Sequence, residues 1–133
     1  MCIFCEIAAK TVPSRIVYEN ESVLAFLDHD PISTGHVLVI PKQHYAELDE
    51  IPPALLTGLM TTVQKLSRAL KTVYSPDGIT IMQNGGIFND TGHFHIHLFP
   101  RYRNDGFSFT EPESPADEPS DRIAVMIAGA ISE

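Results

Sequence analysis

Three histidines alternate with two apolar residues, Phe94 and Ile96, in one short segment of the chain. Successive side chains of an extended strand point to opposite faces, so His93, His95 and His97 are predicted to share one face. The apolar residues between them would point into a core. Near neutral pH, imidazole can act as a nucleophile, an acid–base group or a metal ligand. We therefore expect this segment to carry the function of the protein.

The spacing of these histidines predicts different roles for them and not one shared metal ion. Alternate residues of a strand lie about 6.8 Å apart, which would separate the Cα atoms of His93 and His97 by about 13.5 Å. Nitrogen ligands of one zinc ion must converge to within about 3.5 Å of each other. Neighbouring histidines of the strand could do so, whereas the outer pair would need a sharp bend. A polar strand face that carries histidines by chance is the alternative.

Length, composition and charge limit the classes to which the protein can belong. Its 133 residues are enough for one domain with a substantial core. Apolar residues make up 44% and charged residues 20%, which is an ordinary globular composition. The net charge of −8 argues against a protein that coats nucleic acid, because such proteins carry a basic surface. We expect no membrane span and no signal peptide, and the two cysteines indicate a reducing, cytoplasmic environment.

Hydrophobic patterns predict an α+β fold with a five-stranded antiparallel sheet, one long helix and a C-terminal helix. The predicted strands are residues 16–18, 23–27, 36–40, 79–82 and 93–99. The long helix follows Pro52-Pro53, and its apolar residues recur every three or four positions from Leu55 to Val73. A short apolar lead-in over residues 2–9 precedes the first strand.

The composition changes at residue 110, where an acidic, proline-rich stretch begins. We predict a domain over residues 1–109, followed by a connector and a C-terminal helix over residues 110–133. Ser120 is the predicted cap of that helix. Its apolar run over residues 123–127 would be poorly tolerated in water, so docking on the body or on a second subunit is expected. A frayed tail is the alternative.

Residues 93–99 resemble the signature of the histidine triad (HIT) superfamily, His-x-His-x-His followed by apolar residues. Supporting segments of the family lie in the same order at residues 2–5, 23–28, 35–44 and 83–85. The resemblance implies a HIT-like, nucleotide-binding fold and a homodimer whose sheets join. It also implies a bacterial-type hydrolase or transferase that cleaves a phosphorus bond in purine nucleoside phosphoramidates or dinucleoside polyphosphates.

The chemistry of imidazole is consistent with this resemblance. A neutral ring nitrogen can attack phosphorus and form a covalent nucleotidyl-histidine, which water then hydrolyses. The middle histidine, His95, is the expected nucleophile, and its second nitrogen must be held as a donor, usually by a backbone carbonyl. His97 would donate to a phosphate oxygen or to the leaving group. His36 resembles the family's fourth histidine, which supports the triad; a structural histidine at a strand start is the alternative.

The resemblance also implies nucleotide contacts for two further residues. Asp28 corresponds to an acidic residue that binds the ribose hydroxyls. Asn84 corresponds to an asparagine on the phosphate side of the site. Each residue would also suit an ordinary turn, which is the alternative for both.

The stretch before the triad departs from the family pattern. Many members have a Gln-Ser-Val-like stretch whose side chains contact phosphate, whereas this chain has Asn-Asp-Thr-Gly at residues 89–92. The carboxylate of Asp90 would repel an anion. The predicted phosphate contacts are therefore its neighbours, Asn89, Thr91 and Gly92. Activity and leaving group are consequently less well determined by the sequence than the fold.

Cys2 and Cys5 form a Cys-x-x-Cys pair, which is one half of a Cys₂His₂ zinc site. A redox dithiol is the alternative, but no thioredoxin-like context surrounds the pair. Some bacterial members of the family complete such a site with the histidine after Ile-Pro-Lys and the first triad histidine. These correspond to His44 and His93, so the resemblance implies a closed, structural zinc site. No role can be argued for His29.

Three functions remain open from the sequence. The first is the HIT-type hydrolase or transferase. The second is a nucleotide-binding sensor or adaptor with little turnover, which the altered loop before the triad keeps open. The third is a zinc-dependent structural or interaction protein. The intact triad favours the enzyme, because a pure binding protein has little need of an exposed nucleophile.

Overall fold

The computed structural model describes residues 2–114 and 116–131 of the chain. Its strands are β1 (Ile16–Glu19), β2 (Val23–Leu27), β3 (Val37–Pro41), β4 (Gly78–Met82) and β5 (Ile96–Arg101). Its helices are α1 (Ile3–Ala8), α2 (Pro53–Tyr74) and α3 (Asp121–Ala130), and 3₁₀ turns span Leu48–Glu50 and Gly86–Phe88. The strands form one antiparallel sheet in the order β1-β2-β3-β5-β4. The predicted α+β class is confirmed.

Both faces of the central sheet are covered, which explains the unbroken apolar sequences of β2 and β3. Alternate residues point to opposite faces, so each strand contributes to two clusters. The cluster on the α2 face includes Val23, Ala25, Val37, Val39, Leu59, Val63, Leu66 and Leu70. The cluster on the α1 face comprises Phe4, Ile7, Leu24, Phe26, Leu38 and Ile40.

The apolar stripe of α2 is present as predicted, except at its last member. Leu59 and Val63 are almost fully buried against the sheet, and Leu66 and Leu70 continue the stripe. Val73 was predicted to belong to it but is 68% exposed. In this last turn the neighbouring Tyr74, and not Val73, packs against the core.

The histidine-bearing strand begins later than predicted. It starts at Ile96 and not at residue 93, because the amide of Phe94 donates to the carbonyl oxygen of Tyr45 (2.7 Å), which lies outside the sheet. The alternation of faces holds in spite of this difference. Phe94 is buried in the cluster on the α2 face, whereas His93 and His95 lie beside α1.

Gly35 determines how the chain enters β3. Its φ of +91° lies in the left-handed region, and an added Cβ would approach the ring of Tyr74 to 2.5 Å. Glycine is therefore required here both by the backbone conformation and by the close contact. The next residue, His36, is held in the interior with only 2% of its surface exposed.

The C-terminal helix α3 forms as predicted, but the body of the protein does not cover it. The Ser120 side chain accepts a hydrogen bond from the amide of Ile123 (3.3 Å), which confirms the predicted cap. Val125, Met126 and Ile127 are each more than half exposed. The run was predicted to dock on the body or on a second subunit; it does not dock on the body of this chain, and docking on a second subunit stays a prediction. None of the helices in residues 2–114 and 116–131 has the length and apolarity needed to cross a membrane.

Candidate active site and metal-ligand cluster

A cavity of about 670 Å³ opens on the α1 face of the sheet. Two triad histidines, His95 and His97, line it together with Asp28. An apolar wall of Phe4, Phe26 and Leu38 lines it as well. The cavity thus combines two imidazoles, a carboxylate and an apolar surface, which is the usual composition of a small-molecule site.

The ring of His95 is held in one tautomer by the backbone. Its Nδ1 lies 2.8 Å from the carbonyl oxygen of His93, and a carbonyl can only accept, so Nδ1 carries the proton. The hydroxyl of Thr91 lies 3.5 Å from the same nitrogen. In the neutral ring, Nε2 consequently keeps a free lone pair. The ring is 97% buried and still lines the cavity, so the arrangement meets the requirement for an attacking imidazole.

A second chain of hydrogen bonds orients His36 and His97. The amide of Ile32 donates to Nδ1 of His36 (3.0 Å), so the proton of a neutral His36 ring lies on Nε2. That Nε2 is 2.9 Å from Nδ1 of His97 and 3.5 Å from a carboxylate oxygen of Asp28. Because His97 accepts at Nδ1, its own proton lies on Nε2. We call Ile32, His36 and His97 the histidine relay, since one backbone amide fixes the tautomers of both rings.

Burial keeps the rings of the relay neutral. It lowers the pKa of His36, and it lowers the pKa of His97 to about 4, with further lowering from the nearby His95 ring. The negative charges of Asp28 and Asp90 oppose this shift at His97 without reversing it. Near pH 7, His97 is therefore a neutral ring with a proton available at Nε2.

Acid should destabilise the protein through His97. The unfolded chain binds a proton on this residue near pH 6.5, whereas the folded protein binds it only near pH 4. Between these values the unfolded state holds more protons, so stability rises with pH and is lost as pH falls through this window. One such proton changes the free energy of unfolding by roughly 1.4 kcal/mol per pH unit within this window.

Urea unfolding across this pH window, with chelator present throughout, measures the slope. The free energy of unfolding should vary less steeply with pH in His97→Asn than in the wild type. The difference in slope should be at most the contribution of one proton. His29→Asn is the matched control, because the His29 side chain is 98% exposed. Equal slopes for the wild type and His97→Asn would contradict the prediction.

The four predicted metal ligands converge at the other end of the triad. Cys2 Sγ lies 3.3 Å from His93 Nδ1, Cys5 Sγ lies 3.3 Å from His44 Nδ1, and one ligand atom from each residue lies within 4.8 Å of the others. Tetrahedral zinc with bonds of about 2.0–2.3 Å needs ligand atoms about 3.3–3.8 Å apart, so only a small contraction is required. The donor set of two thiols and two imidazoles fits zinc.

A hydrogen bond prepares His93 for such coordination. Its Nε2 donates to the carbonyl oxygen of Pro41 (2.8 Å), which leaves Nδ1 unprotonated and directed at the two sulfurs. Asp28, His36 and His97 also converge within 4.8 Å. In this second group, His36 Nε2 already donates to His97 Nδ1 and lies 3.5 Å from the Asp28 carboxylate. Hydrogen bonding therefore accounts for this convergence without a metal.

The loop before the triad uses its donors internally. The side-chain oxygen of Asn89 accepts hydrogen bonds from the amides of Thr91 and Gly92, each at 3.1 Å. Its side-chain nitrogen donates to the carbonyl oxygen of His93 at 3.3 Å. Of the residues predicted to bind nucleotide, Asp28 and Thr91 line the cavity, whereas Asn84, Asn89 and Gly92 are not among its lining residues. Roles for these five residues stay predictions.

Several residues of the cavity were not predicted from the sequence. α1 contributes Ile3, Phe4 and Ile7, and Arg15 and His29 also line the cavity. Phe4 lies between the two cysteines in the sequence, and its ring centroid is 5.2 Å from that of His95. The predicted pairing of the cysteines with His93 therefore implied that Phe4 would lie beside the triad, which could have been predicted from the sequence.

Comparisons with known proteins identify the family. The family model for the HIT domain matches residues 9–104. An uncharacterized HIT-like protein of Methanocaldococcus jannaschii is 44% identical over 108 residues, 80% of this chain and 83% of that protein. An adenosine 5′-monophosphoramidase of Saccharomyces cerevisiae is 38% identical over 102 residues, 75% of this chain and 62% of that protein.

Solved structures show the same fold. A HIT family member from Bacillus subtilis superimposes with a TM-score of 0.89 at 36% identity, covering 99% of this chain and 98% of that one. A zinc-bound histidine triad family protein from Mycobacterium smegmatis has a TM-score of 0.76 at 35% identity, covering 85% of this chain and 84% of that one. The family expected from the histidine motif is thereby confirmed, and the chain belongs to the HIT family.

Proposed function

We propose that the protein is a nucleotidyl hydrolase or transferase that acts on purine nucleoside phosphoramidates or dinucleoside polyphosphates. The tautomer of His95 is the observation that carries this proposal. A buried but accessible imidazole, with Nδ1 bonded to a carbonyl and Nε2 free, is prepared to attack phosphorus. The yeast relative named as a monophosphoramidase supports a phosphoramidate as the first substrate to test.

Each step of the proposed reaction has a group to perform it. His95 Nε2 bonds to phosphorus while the bond from phosphorus to the leaving group breaks, and the electron pair departs with that group. His97 donates a hydrogen bond from Nε2 to the departing atom, which takes its proton from solvent, because a neutral imidazole does not give up its N–H proton. Water then attacks the nucleotidyl-histidine, loses a proton to solvent, and releases the nucleotide and a neutral His95. Asp28 would accept hydrogen bonds from the ribose hydroxyls, and the apolar wall would hold the base.

We also propose that Cys2, Cys5, His44 and His93 bind one structural zinc ion. The bound ion would hold α1 against the triad, and its closed set of four ligands leaves no position for substrate. A cytoplasmic location is part of the proposal, because this cluster requires both thiols to be reduced. The zinc-bound mycobacterial structure supports a metal in this family.

Mass spectrometry can test the covalent step directly. The protein is mixed with adenosine phosphoramidate, quenched in denaturant within milliseconds to seconds, and digested. We expect one adenylyl group on the peptide that contains His95. Steady release of AMP without any adduct on a histidine, at all quench times, would contradict the covalent mechanism.

A nucleotide sensor with little turnover is the second candidate. It is favoured by the loop before the triad, where the amides of Thr91 and Gly92 are already hydrogen-bonded and cannot easily be offered to phosphate. Calorimetry with AMP and assays with both substrate classes separate the two candidates. Tight binding without release of AMP from any substrate supports the sensor.

We propose in addition that the protein is a homodimer. Exposed apolar residues remain on three elements, with Met60 on α2, Ile81 on β4, and Val125 on α3. β4 is an edge strand, so a second sheet could pair with it. An interface that buries these residues would be apolar and stable.

Light scattering at micromolar concentration should give about twice the chain mass. Ile81→Asp on β4 should shift the mass towards the monomer. Val17→Asp is the matched control, because Val17 is similarly exposed on β1 at the opposite edge of the sheet. A wild-type mass near 14.7 kDa would refute the dimer.

A further inference from the structure

Asp90 brings a negative charge into a cavity that is proposed to bind a phosphate ester. It lines the cavity together with Thr91, His95 and His97. Its side chain is exposed, and no ion pair to it forms within residues 2–114 and 116–131. Its charge acts on His97, the proposed hydrogen-bond donor to the leaving group, as the charge of Asp28 also does. Asp28 is the proposed ribose ligand, whereas Asp90 lies in the loop before the triad beside Thr91, which leaves Asp90 as the carboxylate for the leaving-group side of the cavity.

The surrounding loop offers little to neutralise a second anion on that side. The amides of Thr91 and Gly92 donate to the side-chain oxygen of Asn89. The hydroxyl of Thr91 lies within 3.2 Å of both that oxygen and the carbonyl oxygen of His93, which are acceptors for its single proton. These donors are thus engaged within the loop, whereas Asp90 adds a negative charge to the lining of the cavity.

The other charges of the cavity do not compensate. Among the described lining residues, Arg15 is the one arginine or lysine, against two carboxylates, Asp28 and Asp90. Arg15 is exposed in the segment between α1 and β1, outside the loop that carries Asp90. A leaving group with several phosphates would thus meet a carboxylate without a matching lysine or arginine of the loop.

We propose that Asp90 determines the specificity for the leaving group, selecting nucleoside phosphoramidates of cationic amines over dinucleoside polyphosphates. The inference rests on the proposed function and narrows its substrate class. In the reaction, the bond between phosphorus and nitrogen breaks, its electron pair stays on nitrogen, and the nitrogen takes a proton from solvent while His97 donates a hydrogen bond to it. A second, positively charged group of the same amine lies next to Asp90 throughout. A departing nucleotide would instead bring negative charge to the same place.

Three substrates that differ in the charge of the leaving group test this proposal. They are the adenosine phosphoramidate of 1,4-diaminobutane, that of pentylamine, which has a similar length without the charge, and diadenosine tetraphosphate. For an exposed charge pair, removal of Asp90 should change kcat/KM by about fivefold. Relative to the pentylamine substrate, Asp90→Asn should lower the value for the cationic substrate and raise it for the tetraphosphate, so that an effect common to all substrates cancels. Added salt should weaken the wild-type preference.

Glu21→Gln is the control, because it removes the same charge from the exposed turn between β1 and β2, outside the lining of this cavity. Asp90→Ser is a second variant, and thermal melts establish that both variants are folded. Unchanged ratios among the three substrates in both Asp90 variants would overturn the specificity role and leave the proposed function intact. Equal loss on all three substrates would also overturn it, since Asp90 would then serve the chemistry in general. If the wild type releases no AMP from any of them, the proposed function fails and the specificity role with it.

Discussion

His95→Ala should lower turnover by roughly four orders of magnitude or more, which is the scale seen when an enzyme loses its nucleophile. Of the described residues, the nearby His97 and His36 cannot replace it, because His97 carries its proton at Nε2 and His36 donates to His97. Affinity for AMP should change only a few-fold, since the proposed contacts to ribose and base come from Asp28 and the apolar wall. Release of AMP measures turnover, and calorimetry measures the affinity.

Chemical rescue makes this experiment specific to the ring. His95→Gly leaves a space beside the carbonyl oxygen of His93, and added imidazole should restore part of the turnover by taking the place of the missing side chain. The wild type, treated in the same way, should not respond. Turnover of His95→Ala within tenfold of the wild type would remove His95 from the nucleophile role. Another residue would then have to carry the covalent step.

Loss of the metal should cause the second large effect. About one zinc ion per chain is expected by elemental analysis. Cys2→Ser or Cys5→Ser should abolish it, because the closed tetrahedral site loses one of its thiolates. Metal binding contributes directly to folding, so stability should fall by on the order of 3 kcal/mol, or about 10 °C in melting temperature. Thermal melts with and without chelator measure the change.

The serine variants also provide the control for this measurement. The chelator should lower the melting temperature of the wild type and should leave that of Cys5→Ser unchanged, because the variant has no ion to lose. Metal-free protein as purified, with the same melting temperature before and after chelation, would disprove the structural zinc. The redox-dithiol alternative would appear as a loss of both free thiols when the native protein is oxidised.

The elements of the fold could be predicted because each has a local pattern. The spacing of Leu59, Val63 and their successors identifies α2, and the apolar runs identify β2 and β3. The ligand cluster was assigned through family resemblance, and the structure brings its four residues together. These features depend on residue type and order, which the sequence contains.

The loop before the triad could not be predicted in the same way. Its path depends on contacts with residues about forty positions earlier, where a carboxylate oxygen of Glu47 accepts from the amide of Gly86 at 2.8 Å. The amide of Phe94 is likewise taken by Tyr45, which delays the start of β5. No local pattern indicates such partners. Asn89 was expected to contact phosphate, which stays a prediction, and nothing in the sequence indicated that its side-chain oxygen would accept from the amides of Thr91 and Gly92.

The position of β5 in the sheet has a consequence for how the molecule is made. β5 is the last strand along the chain, yet it lies between β3 and β4. A growing chain therefore holds β4 without a neighbour until residues 96–101 have been synthesised. Residues 93–97, which lead into this strand and begin it, bring His93 to a thiol 91 positions away and His97 to His36, 61 positions away. The entropic cost of closing such loops rises only with the logarithm of their length. The order in which these contacts form is therefore set by when the residues are synthesised and not by how far apart they lie in the sequence. The sheet, the metal-ligand cluster and the histidine relay all require residues 93–101. A nascent chain that ends before these residues therefore has neither the complete sheet nor the site.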